Sequence, residues 1–409
     1  ERVYNYNGET PYRDNALFQM GLSCLEDNLF KEAISYFDKF ERDLRQSALM
    51  PYVRAKRALC YFNIDQYTPA ANDYKYLLSN HISHPVANDA LLGLQELRKK
   101  GLSIPEFDRY MEAFQRANPE DSSLEVISFE AAKTNYFNQE YQKAIEALRK
   151  FQEKYPRSSF SEDVLYFLGD SYYRMEDWNR ATDVFTQLAK NTSSGYLSRV
   201  LDKRGRAYLR MNEYQQAIYN YDLLHANGVN RKDQYLADEG KMLGFFHLNN
   251  HDSALFYANK IINGDWKPVG AESQALLLKG KVFLSRKDFE NARKTIQKVL
   301  EETKSEIAAE SKYVIALSHY QEGSYKTSVE TLFELNEEFS SYDYWIGKSF
   351  ILIADNYMKM NELFQAKATL TSIIEKSPVE EIVREANTRL DKLEKESAKL
   401  LENDTTNAE

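Results

Sequence analysis

The residues best spaced for chemistry are two histidines, His247 and His251, four apart in the chain. On a continuous helix that spacing turns both imidazoles to one side and suits a zinc ion. A polar turn is expected between them, however, and His251 falls in a column that other parts of the chain fill with aromatic rings, so the pair reads as structural. His81 and His84 flank an expected loop with no cysteine or carboxylate cluster beside them, and no metal site is read there. Gly347-Lys348-Ser349 imitates the end of a phosphate-binding loop, but Tyr342 stands where the loop's first glycine belongs and the run reads as helix. No dinucleotide glycine fingerprint, nucleophile elbow or metalloprotease helix occurs. Among 62 acidic residues, paired carboxylates say nothing about acid–base work. The chain is expected to be no enzyme and to use no cofactor or metal.

With chemistry set aside, the question becomes what the chain builds. Its 409 residues contain only 15 Gly and 9 Pro but 29 Tyr and 22 Phe, a balance poor in breakers and rich in large packing groups, which favours helices. No run of 18 apolar residues exists to span a bilayer. A net charge of -9 and a pI near 5.5 lack the dense basic face that displaces counterions from nucleic acid, so that partner class is excluded. Cys24 and Cys60 fall on expected inner helices, either as small hydrophobes or as one bridge.

One small residue recurs with a fixed period: Ala33, Ala70, Ala144, Ala181, Ala217, Ala254, Ala292 and Ala366, with Ser328 in the remaining place. The intervals are 36 to 38 residues, apart from one of 74 that spans two units, so one copy is degenerate near Phe107. Twelve residues before each stands Gly21, Ala58, Ala132, Gly169, Gly205, Met242, Gly280, Ala316 or Ala354. Three residues before each stands Phe30, Tyr67, Tyr141, Trp178, Tyr214, His251, Phe289, Tyr325 or Leu363. Two small columns let paired helices approach closely while a ring fills the space beside them, so each unit is a helical hairpin. Polar segments such as Arg210-Met211-Asn212-Glu213 supply the turns, and Asn118-Pro119, Tyr155-Pro156 and Ser377-Pro378 end units.

The stretch Leu165 to Tyr173 with Gly169, followed by Trp178, Ala181 and Phe185, resembles the tetratricopeptide repeat, and Leu201, Gly205, Tyr208, Ala217 and Tyr221 repeat the pattern one unit on. The resemblance covers residues 14–378 and implies an all-α, right-handed superhelical solenoid of about ten hairpins. It departs from the family in its longer unit. The Tyr155-Pro156-Arg157-Ser158 junction also resembles bacterial envelope members of the family, the lipoprotein of the outer-membrane barrel-assembly machinery and the periplasmic partner of the Tol-Pal system.

The expected organisation is an irregular lead-in (1–12), two N-terminal repeats (13–80), a degenerate repeat and bend (81–121), the main array (122–378), a capping helix (379–401) and a disordered tail (402–409). Glu1 is not methionine, which fits either a removed export signal or a sequence cut at that point; under the envelope reading a lipid anchor upstream of Glu1 is an option.

In the family the first helices line the concave face. Carried over position by position, the resemblance places Phe18, Phe129, Tyr136, Phe137, Tyr166, Tyr173, Phe246, Tyr313 and Tyr320 in the groove, together with the cations Lys133, Arg174, Arg199, Arg206, Arg210 and Lys281. Pairing with local acids such as Asp170 and Asp202 is the competing role for the cations. The function expected is a scaffold holding a peptide or helix of a partner protein, periplasmic or outer-membrane-associated. A cytoplasmic adaptor and a solenoid that stacks cell-wall sugars on its aromatics are the alternatives.

Overall fold

A computed structural model describes residues 12–406 except Ser122 and Val229, with side chains as far as Lys395. The expected lead-in therefore lies outside the described residues save for Tyr12, as does 407–409 of the expected tail. Among the described residues there are 21 helices and no strand, arranged as ten hairpins and one terminal helix.

The chain forms two compact units, 1–194 and 195–409. The first contains α1 (Arg13–Glu26), α2 (Phe30–Asp43), α3 (Met50–Asn63), α4 (Tyr67–Asn80), α5 (Val86–Lys99), α6 (Phe107–Ala117), α7 (Ser123–Phe137), α8 (Tyr141–Lys154), α9 (Ser161–Arg174) and α10 (Trp178–Leu188). The second contains α11 (Leu197–Arg210), α12 (Tyr214–Asn227), α13 (Arg231–His247), α14 (His251–Ile262), α15 (Ala271–Ser285), α16 (Phe289–Glu302), α17 (Glu306–Glu322), α18 (Tyr325–Glu338), α19 (Asp343–Lys359), α20 (Leu363–Lys376) and the terminal α21 (Glu380–Thr406). α21 buries Ile382, Ala386 and Leu393 and continues past Leu401 to Thr406, into the segment expected to be disordered.

The small residues of the first helices act as seats. A Cβ added to Gly21, Gly169, Gly205 or Gly280 would lie within 2.2–2.7 Å of Phe37, Phe185, Tyr221 or Ile296, four residues beyond the periodic alanine of the partner helix. The side chain in the seat is thus not the ring three residues before the alanine. That ring has another place: it is the first residue of each second helix in all nine regular hairpins. Burying a side chain such as Phe37 or Tyr221 stabilises by about 1.5–3 kcal/mol, and the seats repeat that contribution along the chain.

The turns have a periodic feature of their own. Asn28, Asp65, Gln139, Glu176, Asn212, Asn249, Lys287, Gly323 and Asn361 all take left-handed φ, each five residues before the periodic small residue. In the first of them the N–H of Leu29 donates to the Cys24 carbonyl at 2.8 Å and that of Asn28 to the Leu25 carbonyl at 3.0 Å. This pairing caps the C-terminus of the first helix with backbone alone.

The degenerate hairpin has a precise cause. Nine residues separate the first-helix small residue from the ring opening the second helix in every regular unit, whereas twelve separate Gln95 from Phe107. The longer turn shifts the register, so Phe107 takes the ring's place and Tyr110 the alanine's. With Gln95 and Tyr110 at the two small positions, α5 and α6 pack less closely than the other pairs. The core nonetheless runs through this segment from Ala55 to Ala131 by way of Leu91, Leu94, Phe107 and Phe114.

Candidate functional site

Within each unit first helices approach one another, as α5 does α7 and α11 does α13, while second helices pack mainly on their hairpin partner and on the first helix that follows. The layer of first helices is therefore the inner one, and a partner laid along it would meet the residues that this layer exposes.

On α11 the side chains Arg199, Asp202, Arg206 and Arg210 follow at i, i+3, i+7 and i+11, one face of a helix. Arg206 Nε donates to both oxygens of Asp202, at 3.0 and 3.2 Å, and its terminal nitrogen donates to Glu239 Oε2 on α13 at 2.9 Å. The Tyr235 hydroxyl donates to the other oxygen of Glu239 at 2.7 Å, closing a chain of four groups. Burial disfavours the charge on Arg206, but Asp202 and Glu239 outweigh it and hold the guanidinium above its usual range. Burial lifts Asp202 above the ordinary carboxylate value, with Arg206 opposing part of the rise. Burial and the bond to Glu239 likewise push the Tyr235 phenol up. Arg199 and Arg210, at the two ends of the ridge, are exposed and make no ion pair with the described residues.

The remaining cations repeat the theme of Arg206. In the first unit Arg174 on α9 donates to Asp170 at 3.0 Å, and Asp170 also accepts the Tyr136 hydroxyl from α7. Lys133 reaches Glu130 at 3.2 Å, and Glu130 is shared with Lys99 at 3.0 Å. In the second unit Lys281 on α15 pairs with Glu310 on α17. Four of the six expected groove cations, Lys133, Arg174, Arg206 and Lys281, are thus neutralised by acids of their own or the next first helix. The free basic cluster expected around Arg174 to Arg210 contracts to Arg199 and Arg210. The sequence reading missed Glu239 and Glu310, which lie 33 and 29 residues beyond their partners. A search for acids about one repeat after each cation would have found both.

The aromatic groove residues divide. Phe129 is a correction: it is 3% exposed, stacked on Phe160 at 4.5 Å and packed against Phe151 and Phe167, so its ring belongs to the core of the first unit. Tyr136, Tyr166 and Tyr173 are half-buried; Tyr136 packs on Phe167 at 4.9 Å and Tyr173 on Trp178 at 5.1 Å. Phe137 is exposed at the end of α7. Phe18, Phe246, Tyr313 and Tyr320 are half-buried against their local cores, and burial pushes the Tyr313 phenol up to about 12.

The residues first considered for chemistry serve packing. His247 ends α13 stacked on Tyr214 at 4.9 Å, while His251 begins α14 with Nε2 3.3 Å from Ser285 Oγ, so a turn separates the two rings. Lys348 pairs with Glu385 and Ser349 donates to Asn336, both away from any loop. Cys24 and Cys60 are free thiols. Among the described residues no group of three or more His, Cys, Asp or Glu is disposed to hold a metal ion, and no helix is long and apolar enough to cross a membrane.

Comparison with known proteins adds the following. A sequence profile described as tetratricopeptide repeat matches residues 128–158 and 163–191, which are the hairpins α7–α8 and α9–α10. No curated protein matches the chain. Among solved structures, a tetratricopeptide repeat protein from Parabacteroides merdae is similar over 66% of this chain and 98% of its own, at 17% identity and a TM-score of 0.52. The apo form of RapI is similar over 93% and 98%, at 12% identity and a TM-score of 0.49. The C-terminal part of a repeat-containing protein from Cytophaga hutchinsonii is similar over 62% and 98%, at 18% identity and a TM-score of 0.42.

Proposed function

Starting from a chain that is a tetratricopeptide-repeat protein, we propose that it is a non-catalytic scaffold whose first-helix layer holds a segment of a partner protein. The observation carrying this reading is the ridge of α11, where the paired centre Asp202–Arg206–Glu239 is flanked by the exposed, unpaired Arg199 and Arg210. Paired cations are spent on the fold, whereas two unpaired guanidinium forks about three helical turns apart suit a partner strand or helix bearing acidic groups. The proposed setting is a bacterial cell envelope, on the strength of the Tyr155-Pro156-Arg157-Ser158 junction. The double substitution Arg199→Glu and Arg210→Glu breaks no ion pair among the described residues, so folding is expected to be unchanged while binding is lost. Pull-downs from envelope extracts with wild type and double variant test this. Recovery of the same proteins by both, in equal amounts, sinks the reading.

A second reading, binding of cell-wall sugars, is favoured by one feature of the second unit. A cleft of about 450 Å³ between α13 and the loop after α14 sets Tyr235 and Trp266 nearly perpendicular, 6.3 Å apart, beside Arg231, Asp238 and Lys260. Trp266 fluorescence that stays constant on titration with cell-wall fragments sets this reading aside.

A further inference from the structure

The extended turn of the degenerate hairpin opens a cleft of about 400 Å³ in the first unit, walled by the end of α5, the segment Gly101–Pro105, and the α7–α8 turn. Arg98, on the last turn of α5, lines it. Its side chain is half-buried and the guanidinium lies on the Phe107 ring, 4.5 Å from the centroid. Its hydrogen-bond partners are both neutral amides: Asn135 Oδ1 at 2.5 Å and Gln95 Oε1 at 3.3 Å. Among the described residues it makes no ion pair, unlike Arg54 and Arg57 in the preceding hairpin, which share Glu41 and Asp73. Desolvation outweighs the distant Asp108 and Glu140 and lowers the guanidinium below its ordinary value. A partly desolvated guanidinium with no directly paired acid leaves charge-assisted hydrogen bonds unmade, which an incoming carboxylate can supply.

We propose that this cleft is a binding site for a carboxylate, with Arg98 as the group that receives it. Two of the five guanidinium N–H groups are taken by Asn135 and Gln95, which leaves donors for a planar carboxylate fork. The exposed side chain of Asn138 lines the same wall and offers a further donor. The cleft's other charges are Lys143, paired with Glu140 at 3.2 Å, and Asp108. With two carboxylates already on its walls, the cleft suits a monoanion held by the Arg98 fork better than a phosphate dianion. The site depends only on the first unit and is independent of the α11 ridge.

The test is a titration of the whole protein with four probes: glutarate, a peptide with one glutamate and an amidated end, a peptide whose only anion is its C-terminal carboxylate, and inorganic phosphate. The readout is the NMR signal of the Arg98 Nε–H, assigned by its absence in Arg98→Met, with thermal stability followed in parallel. A saturable shift in wild type is expected with at least one carboxylate probe. Its affinity should fall about tenfold in Arg98→Lys, which keeps the charge without the fork. Preference for glutarate identifies a free acid as the ligand, and preference for either peptide a polypeptide. Arg98→Met should abolish the ligand-induced stabilisation. No saturable shift with any carboxylate, stronger binding of phosphate, or stabilisation retained in Arg98→Met overturns the proposal.

Discussion

Substituting Gly240 with alanine sets two effects of opposite sign against each other. By helix propensity alone, alanine in the interior of α13 is worth about 1 kcal/mol over glycine. Packing opposes this, because the Tyr221 ring lies across Gly240 with three of its atoms 2.1–2.3 Å from where the new Cβ would stand. The same ring rests on Gly205 of α11, and Tyr221 is 1% exposed, so it has no free direction in which to retreat. Overpacking of a filled core costs about 1–3 kcal/mol, and at these distances the upper end applies. The net expectation is a loss of about 2 kcal/mol, or about 4–8 °C in the melting of a body the size of the second unit. Scanning calorimetry measures it directly. Tyr221→Leu in the same chain should recover part of the loss, giving a clear interaction energy between the two sites. Gly195→Ala, whose new Cβ meets nothing within 4 Å, should be neutral or mildly stabilising. A Gly240→Ala protein as stable as wild type would refute the idea that glycines are present as seats for rings.

Further outcomes can be stated briefly. Lys287→Gly relieves a left-handed φ of 60° and should raise the urea midpoint by the equivalent of about 0.5–1 kcal/mol, while Gly323→Ala, at φ 89°, should lower it by about as much. Burial pushes the Cys60 thiol up to about 11, so at pH 8 a disulfide reagent should label the more accessible Cys24 first and Cys60 only on unfolding. The Lys312 ammonium, which also pairs with Glu334, holds the Glu338 carboxyl below its usual value. A depressed folded-state carboxylate contributes stability above its unfolded value that is lost as pH falls through the folded one. Lys312→Met should therefore flatten the acid limb of the stability curve below about pH 5, as read by denaturant melts across pH.

The hairpins were legible in the sequence because their determinants are short-range and periodic. The periodic seats Gly21, Gly169, Gly205 and Gly280 and the side chains they receive belong to one hairpin each, and the turn between them has constant length, so the columns repeat at a fixed distance. The same regularity misled at Phe107, which stands 37 residues after Ala70 only because a three-residue insertion brought a ring to the alanine's number. Residue type there was consistent with a damaged copy, and only the start of α6 distinguishes an insertion from a substitution. Phe129 sits in a groove column by count, yet Phe160 in the next turn offers it a stacking partner, and apolar packing prevails over the family's average orientation. Ion pairing was only half legible. Acids on the same helix, such as Asp170 and Asp202, could be named, but Glu239 and Glu310 act across helices, where many acids compete and distance alone selects one. Arg98 stood out in no column, because its isolation is a property of what fails to surround it.

The left-handed turns have a chemical consequence as well as a conformational one. Four of the nine carry asparagine, at Asn28, Asn212, Asn249 and Asn361, in exposed corners where a side-chain amide ordinarily ages by cyclising onto the nitrogen of the following residue. In each of these corners that nitrogen is already committed: Leu29, Glu213, Asn250 and Glu362 donate to the carbonyls of Cys24, Tyr208, Phe245 and Tyr357 at 2.8–2.9 Å. The attack would require breaking the bond that closes the helix. The corners that bend the chain most sharply are in this way protected against the slow loss of ammonia that shortens the working life of long-lived proteins.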